Sequence, residues 1–221
     1  MAWHGNSGWT PYGPPIDPRF AYSQPGYGHP HPQWYTPPDP YAQQPLQSPP
    51  ATQPRSSKYP NLNPALAEDT TLIRFDIRQR PAKAIIPQAF QTTRSEFAMA
   101  APTRHIRLIS KAFPWSIDII SEANITCEDI WRGLHNGLQI NLVDSEWGFL
   151  MREKGQLETI ENSVKKRLAA DTKADKRPKR IDILGDMTLF RGLEKDDEFA
   201  KLRLLPMERK CDETWVVKLH S

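Results

Sequence analysis

The sequence predicts an α+β fold: a single domain with a mainly antiparallel sheet and two to three helices, preceded by a disordered Pro-rich tail. Three observations predict it. Composition divides the 221-residue chain near position 60. Segments of period two stand at both ends of the second part. Segments of helical period lie between them.

Residues 1–60 hold 15 of the 22 prolines, all six tyrosines, and only Ile16 and Leu46 among the branched aliphatics. Fifteen fixed φ angles and fifteen missing donors stop helix and sheet from propagating. Such a segment has almost no aliphatic core, which predicts disorder with local polyproline II. Trp3, Trp9, Tyr12, Tyr22, Tyr27, Trp34, Tyr35, Tyr41 and Tyr59 punctuate it. PxxP spacing at Pro11–Pro14, Pro15–Pro18 and Pro37–Pro40 suits a docking tail for SH3-like or WW-like modules. A solvated tail without a dedicated partner explains the same composition.

Residues 61–221 carry the other 36 Ile, Leu and Val residues, enough for one domain with its own core. Leu62 and Leu66 tuck in first. From Thr71 to Ile77, Ile73, Phe75 and Ile77 alternate with Arg74 and Asp76, the pattern of a strand with one buried face, ended by Pro81. Gln88 to Ala101 has no clear period. Arg104–Ser110 and Ser116–Ile120 read as strands joined through Phe113-Pro114-Trp115. Thr126 and Asp129 form a capping box ahead of Ile130, Trp131, Leu134 and Leu138 at helical spacing. A second helical region starts near Asp144 with Trp147, Leu150 and Met151. Gly155 interrupts it, and Leu157, Ile160, Val164 and Leu168 resume the period. Arg180–Leu184, a Gly185-Asp186 turn and Met187–Phe190 read as a hairpin. Thr214–Leu219 is the last strand.

Taken in order, several pieces carry a resemblance. They are Leu62-Asn63-Pro64, Arg74 to Arg78 ahead of Pro81, Phe113 to Ile117, and Ile125-Thr126 with Asp129-Ile130. Glu146-Trp147, Lys179 to Gly185 and Phe190 to Leu193 complete the set. Over residues 62–219 or so, the chain resembles an uncharacterised domain of unknown function expanded in basidiomycete fungi (domain-of-unknown-function family 6699). The resemblance implies a fungal origin and one compact domain. It carries no chemistry over.

Net charge is only +3, so a case for nucleic acid has to come from local clustering. Lys165, Lys166, Arg167, Lys173, Lys176, Arg177, Lys179 and Arg180 form such a cluster. Two basics, a spacer of about ten residues and further basics is the layout of a bipartite import signal. The same stretch is suited to phosphate contact. It also reads as a charged helix end followed by a linker.

The other candidates are sparse. Cys127, at the first position of a predicted helix, has its thiolate favoured by the helix N-terminus but opposed by Glu128. His105, His135 and His220 lack metal-ligand spacing. Asp118 and Asp182 would form a carboxylate pair if their predicted strands were neighbours. Gly133 and Gly137, inside the predicted helix, suit close packing rather than a phosphate cradle. No dinucleotide fingerprint, P-loop, nucleophile elbow or zincin motif occurs, and no cofactor is expected. The two cysteines, the polar start and the absence of a long apolar run point to a cytoplasmic or nuclear protein, neither secreted nor membrane-bound. A non-enzymatic interaction protein, with unknown partners recruited through the tail, fits best. A small-molecule enzyme of unrecognised type and a nuclear or nucleic-acid-associated protein are the alternatives.

Overall fold

The computed structural model describes residues 54–150, 155–203, 211 and 213–221. The expectations for the tail's PxxP and aromatic positions up to residue 53, and for Met151, lie outside these. Ordered packing starts upstream of residue 61. The Ser56 hydroxyl donates to Asp69 at 2.9 Å, and the Tyr59 ring meets Trp215 edge-on at 5.8 Å.

The fold is α+β around a four-stranded sheet in the order β2-β1-β4-β3. The strands are β1 (His105–Ile109), β2 (Ile117–Ile120), β3 (Leu189–Glu194) and β4 (Thr214–His220). The two outer pairings are antiparallel and the central β1–β4 pairing is parallel, so the sheet is mainly antiparallel, as expected. Alternation assigns its faces. Ile106 and Leu108 lie opposite Ile119 and Ile117, and Leu108 neighbours Trp215. Leu193 lies opposite Val217. All of these join the main core.

Six α-helices surround the sheet among the described residues, against the two to three expected. They are α1 (Pro81–Ala84), α2 (Pro87–Thr93), α3 (Cys127–Leu138), α4 (Asp144–Leu150), α5 (Gln156–Ala170) and α6 (Asp197–Arg203). The extra ones have 4 or 7 residues, too few turns to display a period. In α1 and α2 the prolines begin the helix instead of ending a strand, because the first turn needs no N–H from them.

Helix α3 follows its sequence closely. The Asp129 N–H donates to the Thr126 hydroxyl, and the Thr126 N–H donates to the Asp129 carboxylate at 3.0 Å. Ile130, Trp131, Leu134 and Leu138 are buried. Gly133 and Gly137 lie one turn apart under β2. A Cβ on Gly133 would stand 2.7 Å from Ile119 Cδ1, and one on Gly137 would stand 2.9 Å from Ile117 Cδ1. The glycines therefore let the helix backbone sit against the sheet. Behind α3, Phe75, Phe90 and Phe190 gather with Trp131 into an aromatic centre with ring centroids 5.4–6.5 Å apart.

Two expected strands are corrected. Thr71–Ile77 alternates in burial as predicted, but no regular ladder forms. It runs beside β3 through a bridge at Asp76–Leu189 and two backbone bonds of 2.9 Å, Phe190 N–H to Phe75 O and Ile77 N–H to Thr188 O. Arg180–Leu184 is a 3-10 helix rather than a strand, so Gly185-Asp186 is no hairpin turn. The Lys179 N–H donates to the Asp182 carboxylate at 2.8 Å, and the Asp182 N–H returns to Lys179 O. This local bonding outcompetes a ladder.

Strand β3 bulges between Phe190 and Gly192, where Gly192 has φ 117°. A Cβ there would stand 2.6 Å from Glu68 Cα, since residues 66–68 cross β3 at that point. Gly192→Ala combines a strained φ with a backbone clash and should cost about 2–4 kcal/mol in denaturant unfolding. Gly148→Ala, in α4 with open space around it, should instead stabilise by about 0.5–1 kcal/mol.

Candidate anion-binding site

Helix α5 projects Lys166 and Arg167 toward the 3-10 helix. The chain between them, residues 171–179, turns back so that Leu142 N–H bonds Pro178 O and Arg180 N–H bonds Ile140 O. Lys179 is thereby set beside Gln139 at the end of α3. The Asp76–Gln79 turn and Lys83 of α1 close the opposite wall. The result is a cleft of about 550 Å³ whose lining includes Ala170, Ala174 and Ile181. Its lining carries five cations (Arg78, Lys83, Lys166, Arg167 and Lys179) against three carboxylates (Asp76, Asp171 and Asp182).

The five cations differ in freedom. Arg167 is committed: Nε and Nη2 donate to the Asp182 carboxylate at 3.2 and 2.8 Å, and the guanidinium also donates to Asp175 O and Arg177 O. Arg78 Nε forks onto both Asp76 oxygens at 3.0 and 2.8 Å. Burial works to raise the Asp76 carboxyl, yet the Arg78 guanidinium and N–H hold it below the usual range. Lys166 reaches Asp186 at 2.9 Å with both ends mostly in solvent, a weak pairing. Lys179 Nζ donates to the neutral Gln139 amide at 3.1 Å. Lys83 has no side-chain partner among the described residues, so Lys83 and Lys179 face the cleft without a neutralising carboxylate of their own.

The cluster read from the sequence is thus divided. Lys166, Arg167 and Lys179 line the cleft. Lys165, Lys176 and Arg177 are exposed outside it, Arg177 on Asp175 at 2.8 Å. Arg180 turns away to Glu146 and lies 4.7 Å over the Trp115 ring. Arg78, Lys83 and Gln139 escape sequence reading because 26 to 102 residues separate them from members of the cluster. Only the tertiary fold brings them in.

The groups considered for catalysis are held elsewhere. Asp118 sits opposite Arg107 in the β1–β2 register and accepts from Arg107 Nε at 2.8 Å, with His105 Nε2 at 2.9 Å. Burial works to raise the Asp118 carboxyl, and Arg107 and His105 hold it below its ordinary value. Asp182 lies off the sheet on Arg167, so the two carboxylates share no partner and form no pair. Cys127 is fully buried, and burial, with Glu96 nearby, pushes its thiol well above the ordinary value. His135 Nδ1–H donates to Ile77 O at 2.8 Å, tying α3 to the turn below the cleft. His220 is exposed at the end of β4. Among the described residues, no three His, Cys, Asp or Glu side chains gather to hold a metal ion. No helix among them is long and apolar enough to cross a membrane.

The segment that supplies both cleft walls, the 3-10 helix and β3 also matches a family. The family of unknown function DUF6699 matches residues 73–199. The chain belongs to that family. No curated protein and no solved structure matches it. The DUF6699 region contains all five cleft cations, whereas β4 lies beyond its end.

Removing the Arg167 guanidinium would strand a carboxylate that is 4% exposed. Arg167→Leu is expected to cost about 3–5 kcal/mol in this DUF6699 domain. Lys166→Gln on the same helix should stay within about 0.5 kcal/mol. The lowered Asp76 carboxyl gives a pH signature. Its stabilising contribution is present above the unfolded value near 3.9 and is lost as pH falls through the lower folded value. The stability gap between wild type and Asp76→Asn, measured by urea unfolding, should therefore narrow from pH 7 to pH 3.

Proposed function

We propose that this DUF6699 chain is a non-enzymatic interaction protein. Its folded domain takes an anionic group in the cleft between α5, the 3-10 helix and the Asp76–Gln79 turn, and its Pro-rich segment serves as a docking tail. The observation that carries the reading is the cleft itself: five cations in its lining, with Lys83 and Lys179 left without a carboxylate partner among the described residues. At about 550 Å³ it falls within the range that holds small ligands. The enzyme reading has less support, since Asp118, Asp182, Cys127 and His135 are each occupied by a structural bond or deep burial. The import reading also loses ground, because Arg167 and Arg180 are folded into internal pairs that an extended receptor-bound segment would have to break. For nucleic acid, the exposed basics carry no interleaved aromatic side chains on which bases would stack. Tyr59 belongs to the fold through Trp215, so the docking aromatics are those from Trp3 to Tyr41.

Calorimetric titration of the full chain with pyrophosphate should show saturable, salt-sensitive binding. The Lys83→Gln, Lys179→Gln double variant should weaken it at least about tenfold, a loss of about 1.4 kcal/mol. Binding that survives both substitutions would move the site elsewhere. In parallel, serine replacements at the tail aromatics should strip the captured proteins from the full chain. An unchanged set would remove the docking role of the tail.

A further inference from the structure

A second group of basic side chains lies on the other side of the Asp76–Leu189 bridge. Arg74, Arg191 and His220 line a recess of about 200 Å³ with Leu189 and Phe190, and no carboxylate contributes to its wall. Each of the three comes from a different element. Arg74 stands on the outward face of the extended segment that Phe190 N–H pins to Phe75 O at 2.9 Å. Arg191 is the residue extruded by the β3 bulge between Phe190 and Gly192. His220 ends β4 directly opposite Leu189. All three side chains are exposed, and none has a hydrogen-bond or ion-pair partner among the described residues.

Like charges that converge without a counter-ion repel one another, so this arrangement gains from an anion. Donor geometry narrows the class. One guanidinium fork satisfies a planar carboxylate. Two forks and an imidazole from three directions match an acceptor with three oxygens spread tetrahedrally. The recess is too small for a nucleotide, given that pockets enclosing drug-sized ligands span roughly 300–1,000 Å³. Leu189 is 38% exposed beside it, and Leu72, on the same outward face as Arg74, is 89% exposed. An apolar remainder of the ligand would have a surface to lie on.

We infer that Arg74, Arg191 and His220 form a binding site for a single phosphomonoester group, separate from the α5 cleft. Alternation along β3 puts Arg191 on the same side as Leu189, two residues before it and opposite His220, and the bulge leaves Arg191 without a partner residue on β4.

The test is an amide NMR titration of the isotope-labelled full chain at fixed pH and ionic strength, with inorganic phosphate, glycerol phosphate and acetate as probes. Saturable shifts at residues 74, 189–191 and 220 with both phosphates, and none with acetate, are expected. Arg74→Gln with Arg191→Gln should weaken binding at least about tenfold. Both side chains are solvent-exposed, so an unchanged melting temperature verifies folding. Lys83→Gln with Lys179→Gln should leave these shifts intact, which separates this site from the cleft. Acetate binding of equal strength, or phosphate binding that persists in the arginine variant, would overturn the assignment. Absence of saturation with either phosphate would do the same. Vesicle sedimentation locates the source. Arginine-dependent pelleting with phosphatidate but not phosphatidylserine would place the phosphomonoester on a lipid, and binding confined to soluble phosphates would place it on a free metabolite. Equal pelleting with both lipids would reduce the cluster to nonspecific charge attraction and sink the proposal.

Discussion

Asp182 is a carboxylate set in a run of buried residues, Ile181 to Leu184. An ion in that position costs several kcal/mol unless it is paired and its oxygens are satisfied. Arg167 supplies the pairing, and the Lys179 N–H supplies a further bond. The same guanidinium donates to the carbonyls of Asp175 and Arg177, so residues 171–179 are drawn against α5. Lys179 then has one place to go, beside Gln139. Lys166, one residue before Arg167 on the helix, lines the same wall. The cationic wall of the cleft is a consequence of one internal ion pair that holds three segments in register.

The long periodic elements were legible in the sequence because burial writes its period directly. Helix α3, with its capping box and apolar stripe, and strands β1, β2 and β4 fall where alternation or helical spacing places them. The 3-10 helix was not legible. Ile181-Asp182-Ile183 alternates like a strand, and only the partner of Asp182, fifteen residues away, shows that all three side chains are buried. Thr71–Ile77 misleads differently. Its alternation is real, but its neighbour is the bulged strand β3, and bulge and ladder do not match in register. Half of the cleft was visible as a basic run, while Arg78 and Lys83 give no local sign of joining it.

The sheet closes late along the chain. Its central pairing joins β1 to β4, and the Ser110 hydroxyl donates to Val217 O across 107 residues. Pairings of such separation carry a high loop-closure cost and slow folding. Gly133 and Gly137 admit Ile119 and Ile117 into the face of α3, which fixes the β1–β2 unit against the helix. Gly192 does the equivalent on the other flank, letting residues 66–68 cross β3. These close approaches leave the outer side of the Asp76–Leu189 bridge as a surface where Arg74 and Arg191 meet.

Arginine and lysine divide the work of this fold along their chemistry. Arg78, Arg107, Arg167 and Arg180 each fork onto a carboxylate that the fold removes from water to some degree. Lys83, Lys165, Lys173 and Lys176 have no side-chain partner among the described residues, as suits a compact, strongly hydrated charge. A planar fork is the donor with most to gain from a fixed acceptor. Arg74 and Arg191 are therefore informative because of where they are. Both are exposed forks held by backbone bonding on adjacent segments, around one recess without an acid. Internal structure gives them no acid to bind, and the backbone sets both beside one recess. What remains is an acceptor brought from outside, with oxygens enough for both.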